Sequence, residues 1–199
     1  MRMDLLMKDL DEKYHNAIAF VSFSETSRDS KGMLTEAAET RLKSFDDIPE
    51  PKRRQQRRQS VLMGLSSDEG RCACGFLETM IKDIDAALEL GPYLAGEKYS
   101  LADAALTPYV HRLWLLGCEE LWSKTRPKVG EWYDNMKARS SFEEVFIKHE
   151  NQTRGRYDKD KSIKLGTWNR FVAALESIGE KSDDMAARLP ARLWKFESA

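Results

Sequence analysis

The fold of this chain is decided by residues 94–113, LAGEKYSLADAALTPYVHRL. Ser100 and Asp103 are three positions apart, which is the spacing of a helix capping box with Asp in place of the usual Glu or Gln. In such a box the Ser hydroxyl accepts a hydrogen bond from a first-turn N–H, and the Asp carboxylate accepts one from the N–H of Ser100. Apolar residues follow at helical spacing: Ala102, Leu106, Tyr109, Val110, Leu113 and Leu116. The pattern predicts a capped, buried central helix.

The segments on both sides of this stretch carry a family resemblance. Residues 91–96, GPYLAG, precede the box, and residues 126–142, RPKVGEWYDNMKARSSF, follow it. Together they resemble the C-terminal helical domain of cytosolic, bacterial-type glutathione S-transferases. Ser140 departs from that pattern, because the family usually has Pro there, and Ala104 is small where a larger residue would pack against Tyr99. The resemblance implies an all-α fold, a glutathione S-transferase C-terminal-like helical bundle.

The composition is that of a globular protein without a strong electrostatic field. Of the 199 residues 41% are hydrophobic, and the formal net charge is −1, so neither nucleic acid nor a membrane surface is favoured as a partner. No apolar run approaches the ~20 residues of a membrane span, and the N-terminus lacks a signal-peptide core. Cys72, Cys74 and Cys118 have neither disulfide-framework nor metal spacing. We therefore expect a cytoplasmic protein whose cysteines are reduced packing residues.

Helical spacing recurs along the rest of the chain, and no segment alternates as a strand does. We predict a long helix over residues 3–30, a polar and mostly irregular segment over residues 33–50, and a new helix with Pro51 in its first turn. Residues 1–149 are predicted to form the helical domain. Residues 150–199 are predicted to be a charged linker and an amphipathic C-terminal tail.

A run of basic residues, KRRQQRR at positions 52–58, opens the helix that follows Pro51. A run of this size can bind phosphate groups, but neither interleaved aromatic residues nor a Gly-rich loop accompany it. The sequence therefore favours a solvated helix face over a nucleic-acid patch.

The resemblance implies a reaction that needs two domains. In this family a thioredoxin-like N-terminal domain binds glutathione and activates its thiol, and the helical domain supplies the wall for the electrophilic co-substrate. Neither Ile48–Pro49, which precedes a basic helix, nor Glu176–Ser177, inside a helical stripe, fits the family's glutathione motif. We therefore expect this chain to begin with the second domain and to carry no catalytic residue. Glutathione would be its co-substrate only together with the N-terminal domain.

The predicted first helix carries a candidate binding site. Asp11 and His15 are four residues apart, so they can share a helix face and a hydrogen bond, and a protonated His can contact an anionic ligand. In bacterial members of the resembled family a His on this helix lies near the bound thiol, and the match places His15 there. Asn16, Ala19 and Ser22 are predicted to line the same side. A surface His15 with an incidental partner fits the sequence equally well.

The capped helix carries a second candidate pair, His111 and Arg112. Members of the resembled family often carry an Arg and an aromatic residue here, close to the co-substrate pocket. The residues themselves favour interhelical hydrogen bonds. Trp114, Trp122 and Trp132 are expected in the core or at its rim. No cluster of Asp, Glu and His has metal-ligand spacing, so no metal is predicted.

Two hypotheses from different functional classes follow. In the first, the chain is the co-substrate-binding and dimerisation domain of a homodimeric, glutathione S-transferase-like detoxification enzyme that conjugates or reductively processes a small electrophile. The first helix loosely resembles that of members acting on aromatic ethers and chlorinated aromatics. In the second, the chain is a stand-alone, non-catalytic helical protein-interaction module. The motif match favours the first hypothesis.

Overall fold

A computed structural model describes residues 7–28, 33–148 and 158–179 of the chain. Within these ranges all regular secondary structure is helical, which confirms the predicted all-α class. None of the helices there combines the length and apolar character that a membrane crossing needs. Both ends of the helix predicted over residues 3–30, and most of the predicted linker and tail, lie outside the described residues.

The helices follow one another in two groups. The first group contains a π-helical turn, Leu10–Tyr14, and the helices α1 (His15–Thr26), α2 (Glu36–Ser44), α3 (Pro51–Met63) and α4 (Asp68–Ala87). The second group contains α5 (Leu101–Leu115), α6 (Glu120–Ser123), α7 (Pro127–Lys137), α8 (Ser140–Phe142) with a π-helical turn Glu143–Ile147, α9 (Lys159–Lys164) and α10 (Thr167–Gly179). Helix α4 contacts both α1 and α10 and forms the centre of the bundle.

Helix α2 occupies a segment that was predicted to be mostly irregular. Thr35 caps it, because its hydroxyl accepts a hydrogen bond from the N–H of Ala38 at 3.2 Å. Glu36 and Glu39 lie in its first turn and basic residues in its last, as the helix dipole favours. These local signals stabilise a helix that buries little apolar surface, since Ala38 is its one buried residue.

The central core is formed by the apolar face of α4. Buried residues recur along it at helical spacing: Cys74, Leu77, Met80, Ile81, Ile84 and Ala87. The hydroxyl of Tyr14 donates to Asp83 Oδ2 at 2.7 Å and ties the first π-helical turn to α4. Burial raises the pKa of the Cys74 and Cys118 thiols, and no disulfide joins them. The cysteines are therefore neutral packing residues, as predicted.

A close approach of two chain segments sets the start of α4. Gly64, at the end of α3, has φ of +56°, a backbone conformation that side chains disfavour. A Cβ atom on Gly70 would lie 2.5 Å from the carbonyl oxygen of Gly64. Two glycines therefore let the turn after α3 pack directly on the first turn of α4.

The N-terminus of α5 is organised by the fully buried carboxylate of Asp103. Its Oδ2 atom accepts hydrogen bonds from the N–H and the hydroxyl of Ser100, at 2.8 and 2.7 Å. The predicted capping box is therefore present. Its Oδ1 atom accepts from the N–H of Leu94 at 3.0 Å and from the indole N–H of Trp132 at 2.8 Å. One carboxylate thus joins the loop before α5, the first turn of α5, and α7.

The aromatic residue before this cap has a different partner from the one usual in the resembled family. Ala104 is exposed and too small to pack on Tyr99. The Tyr99 ring meets the ring of Tyr93 edge to face, with centroids 6.0 Å apart. The guanidinium carbon of Arg139 lies 3.7 Å from the Tyr99 ring centroid. A cation–π contact therefore replaces the missing apolar contact.

Helix α10 packs into the same core as the helices that precede it. Its Phe171 is fully buried. Glu25 of α1, 2% exposed, accepts hydrogen bonds from the hydroxyl of Thr167 at 2.8 Å and from the guanidinium of Arg170. The domain boundary between residues 149 and 150 stays a prediction, but α10 completes the core around α1 and α4.

The Asp103 network predicts unequal effects of mutation. We expect Asp103→Ala to lower the free energy of unfolding by about 3 kcal/mol, because the buried N–H groups of Leu94 and Trp132 lose their acceptor. Ser100→Ala removes one hydroxyl from the cap and is expected to cost about 1 kcal/mol. Urea denaturation followed by circular dichroism measures both values.

Asp134→Ala is the matched control, since it removes an exposed carboxylate of α7 that pairs with Lys137. It is expected to change stability by less than about 0.5 kcal/mol. Equal losses for Asp103→Ala and Asp134→Ala would contradict the structural role of the Asp103 carboxylate.

Candidate functional site

Helices α1 and α5 bring polar groups together at one surface of the bundle. His15, at the start of α1, is exposed, and its Nδ1 atom lies 3.2 Å from the hydroxyl oxygen of Tyr109 on α5. The two rings meet edge to face with centroids 6.3 Å apart. A hydrogen bond between these side chains thus joins the first helix to the capped helix.

Asp11 does not share the hydrogen bond with His15 that the sequence allowed. Within the described ranges, the hydrogen bond of the His15 side chain is the one to Tyr109. Asp11 lies in the π-helical turn Leu10–Tyr14, where hydrogen bonds join residues five apart rather than four. Residues four apart are therefore not stacked there as they are on a regular α-helix.

Tyr109 is the site residue that the sequence analysis missed. Its spacing assigned it to the apolar stripe of α5, and it is half-buried. Burial raises the pKa of Tyr109, and the carboxylate of Asp11 raises it further. The hydroxyl therefore stays protonated at neutral pH and remains a hydrogen-bond donor. The available signal was the residue type, because a half-buried Tyr places its hydroxyl at the edge of a core beside a polar partner.

The other predicted residues of α1 differ in their exposure. Ala19 is exposed and Asn16 is half-buried, so both offer surface beside His15. Ser22 is only 5% exposed and offers almost none. The cause is that α1 packs against both α4 and the turn Gly64–Ser66.

His111 belongs to the interior of the bundle rather than to this surface. It is 4% exposed, and its Nδ1 atom lies 2.6 Å from the hydroxyl oxygen of Tyr133 on α7. This is the interhelical hydrogen bond that the sequence favoured. Its ring stacks on Trp114, with centroids 5.8 Å apart, and meets Phe142 edge to face. The neighbouring Arg112 is half-buried on α5.

The tryptophans predicted to lie in the core or at its rim, Trp114, Trp122 and Trp132, take structural positions. Trp122 and Trp132 are buried. Trp114 is half-buried, and the Lys159 ammonium nitrogen lies over its ring, 4.5 Å from the ring centroid. Among residues 7–28, 33–148 and 158–179, no group of three His, Cys, Asp or Glu side chains is arranged to hold a metal ion. Of the side chains that the sequence singled out, His15 is exposed, and its partner is the half-buried Tyr109.

Comparison with known families supports the resemblance found in the sequence. The family model of the glutathione S-transferase C-terminal domain matches residues 53–135, from α3 to α7. The matched range contains the whole of α4, the Asp103 carboxylate with its donors, and Tyr109. The chain has no significant match among solved structures.

Two curated relatives each match about a third of the chain. A tetrachloro-p-hydroquinone reductive dehalogenase from Sphingobium chlorophenolicum is 37% identical over 67 residues, which are 34% of this chain and 27% of the relative. Glutathione S-transferase TCHQD from Arabidopsis thaliana is 32% identical over 72 residues, which are 36% of this chain and 27% of the relative. The match thus spans about a quarter of either relative. Residues 53–135 of the chain are thus similar to the C-terminal domain of glutathione S-transferases.

Proposed function

We propose that this domain supplies the co-substrate wall of a glutathione-dependent enzyme that acts on a small aromatic electrophile. The observation that carries the proposal is the hydrogen bond between His15 and Tyr109, which joins α1 to α5 at an accessible surface. In the resembled family the first of these helices forms one wall of the active-site cleft. Exposed Ala19 leaves room beside the pair for an aromatic ring.

The chemistry of the pair suits an aromatic ring that carries a hydroxyl group. The protonated Tyr109 hydroxyl is a hydrogen-bond donor, and the exposed His15 imidazole has a second nitrogen to offer a ligand. One relative is named for the reductive dehalogenation of a chlorinated hydroquinone, which is a ring of this kind. We therefore propose a halogenated hydroxyaromatic co-substrate for this site.

The proposed role is positioning of the co-substrate and not activation of a thiol. Glutathione reacts as a thiolate, which needs groups that lower and hold its pKa. Burial raises the pKa of Cys72, Cys74 and Cys118 in this chain, so none of them offers a thiolate at neutral pH. The activating groups would belong to a glutathione-binding domain of the complete enzyme.

Binding of an aromatic ligand to the 199-residue chain tests directly whether α1 and α5 form a co-substrate site. We expect a chlorinated hydroquinone or phenol to shift the amide signals around His15 and Tyr109 in a nuclear magnetic resonance titration. His15→Ala and Tyr109→Phe are each expected to weaken binding about tenfold, because each removes one hydrogen bond to the ligand.

Tyr99→Phe is the matched control for this titration. Tyr99 is also partly exposed, at 39%, but it lies in the loop before α5. Its substitution is expected to leave the affinity within twofold. A ligand that shifts signals elsewhere, with affinity unchanged by both site substitutions, would exclude this surface.

Measurements of turnover test whether activation of glutathione requires a separate domain. We expect the 199-residue chain by itself to show no glutathione transfer above the uncatalysed rate, because in the resembled family the thiolate-stabilising groups belong to the thioredoxin-like domain. Fusion of a thioredoxin-like domain from a family member before Met1 is expected to give glutathione binding and turnover. His15→Ala is then expected to lower kcat/KM about tenfold. Activity of the unfused chain with a chromogenic electrophile would contradict the proposal.

We also propose that the domain forms a homodimer through α1. In the described chain Phe20 and Phe23 of this helix remain half-buried. A second copy would cover these groups and remove apolar surface from water. Sedimentation equilibrium is expected to show a dimer at micromolar concentration, and a clean monomer at high micromolar concentration would count against the proposal.

A further inference from the structure

Helix α3 carries its positive charges where they destabilise a helix. Its sequence, PKRRQQRRQSVLM, contains five basic residues and no acidic one. Lys52, Arg53 and Arg54 lie in or beside the first turn, at the end where the helix dipole is already positive. A natural helix usually has acidic residues at this end. The arrangement therefore suits a partner that supplies negative charge.

Neighbouring cations add to this local excess of positive charge. Burial lowers the pKa of Arg57, and Arg53 on the same helix and Arg41 on α2 lower it further. These three guanidinium groups therefore repel one another.

A groove runs along one face of α3. It has a volume of about 460 Å³ and is lined by Pro51, Arg54, Gln55, Arg58, Gln59 and Leu62. The groove combines two arginines, two amides and an apolar end, because the Leu62 side chain is 52% exposed. Aromatic residues that would stack on nucleic-acid bases do not line it.

The two arginines of the groove are positioned differently. Arg58 is fixed, because its Nη1 atom donates to Asp46 Oδ1 at 3.0 Å and to the carbonyl oxygen of Leu42 at 3.2 Å. The Nε atom of Arg54 is buried and has no hydrogen-bond partner among the described residues. The rest of Arg54 is only half-buried and lines the groove, so a carboxylate bound there would pair with the charge of its guanidinium group.

The spacing of the groove residues selects a conformation for the partner. Arg54, Arg58 and Leu62 follow one another at intervals of four residues, so they lie on one helix face about 6 Å apart along the axis. In an extended chain, alternate side chains lie on one side about 6.6 Å apart. Side chains at alternate positions of an extended segment therefore match these three residues in turn.

We propose that the α3 groove binds an extended acidic protein segment with carboxylates opposite Arg54 and Arg58 and an apolar side chain against Leu62. The expected pattern is acidic residue, any residue, acidic residue, any residue, apolar residue. The apolar end and the lack of aromatic residues favour a protein segment over nucleic acid as the occupant. The proposal uses neither His15 nor Tyr109 and is independent of the function proposed above.

Fluorescence anisotropy with the 199-residue chain tests the proposal. The probe is a labelled peptide in which Glu-Ser-Glu-Ser-Leu is flanked by Gly and Ser, and the comparison peptide has the same composition with the two Glu residues adjacent. We expect the alternating peptide to bind about fivefold more tightly and to weaken as salt is raised. Arg54→Gln is expected to weaken its binding about tenfold.

Arg53→Gln is the matched control, because it removes the same charge from the same helix at a position outside the groove. It is expected to weaken binding less than threefold. Circular dichroism of both variants verifies that α3 remains folded. The comparison of the two peptides uses the unmodified chain, so its result does not depend on whether a variant folds.

Four results would overturn the proposal. One is equal affinity for the two peptides, and another is equal loss of affinity in Arg53→Gln and Arg54→Gln, since both indicate attraction by net charge alone. The third is tighter binding of a mixed-sequence single-stranded oligonucleotide than of the alternating peptide, which would assign the groove to nucleic acid. Absence of peptide binding at low salt overturns it as well.

Discussion

The rest of the structure depends on one buried carboxylate, that of Asp103. A carboxylate removed from water is costly unless its oxygen atoms are fully hydrogen-bonded. Here each oxygen has two donors, from Ser100, Leu94 and Trp132. Because those donors belong to a loop, a helix start and a third segment in α7, the carboxylate is satisfied only when all three are in place. It therefore makes the arrangement of α5 and α7 specific as well as stable.

The geometry of the candidate site depends on this arrangement. Tyr109 follows Asp103 by six residues, about 9 Å along the α5 axis, so the capped end fixes where its hydroxyl meets His15. The partner helix α1 is held from its other end, since Glu25 accepts hydrogen bonds from Thr167 and Arg170 of α10. Removal of the partners would leave the buried Glu25 carboxylate without compensation, which is costly. The two helices that form the site are thus held by separate buried carboxylates.

The parts of the fold that local spacing determines were predictable from the sequence. The capping box of Asp103 and the core face of α4 follow from residues three and four apart. The indole of Trp132 as a donor to that cap was not predictable, because it comes from 29 residues later. The His15–Tyr109 pair was missed for the same reason, since 94 residues separate its members. The prediction that Asp11 and His15 share a hydrogen bond also assumed a regular α-helix. Asp11 lies instead in a π-helical turn, which changes the residues that are neighbours on the helix surface.

Amide hydrogen exchange at Leu94 tests the organising role of Asp103 most directly. Leu94 lies in a loop, and its N–H donates to the Asp103 carboxylate rather than to a helix carbonyl. If that carboxylate organises the bundle, the Leu94 amide and the Trp132 indole N–H exchange only through global unfolding, as slowly as core amides of α4. Exchange of Leu94 as fast as that of the exposed loop residue Glu97 would contradict the account.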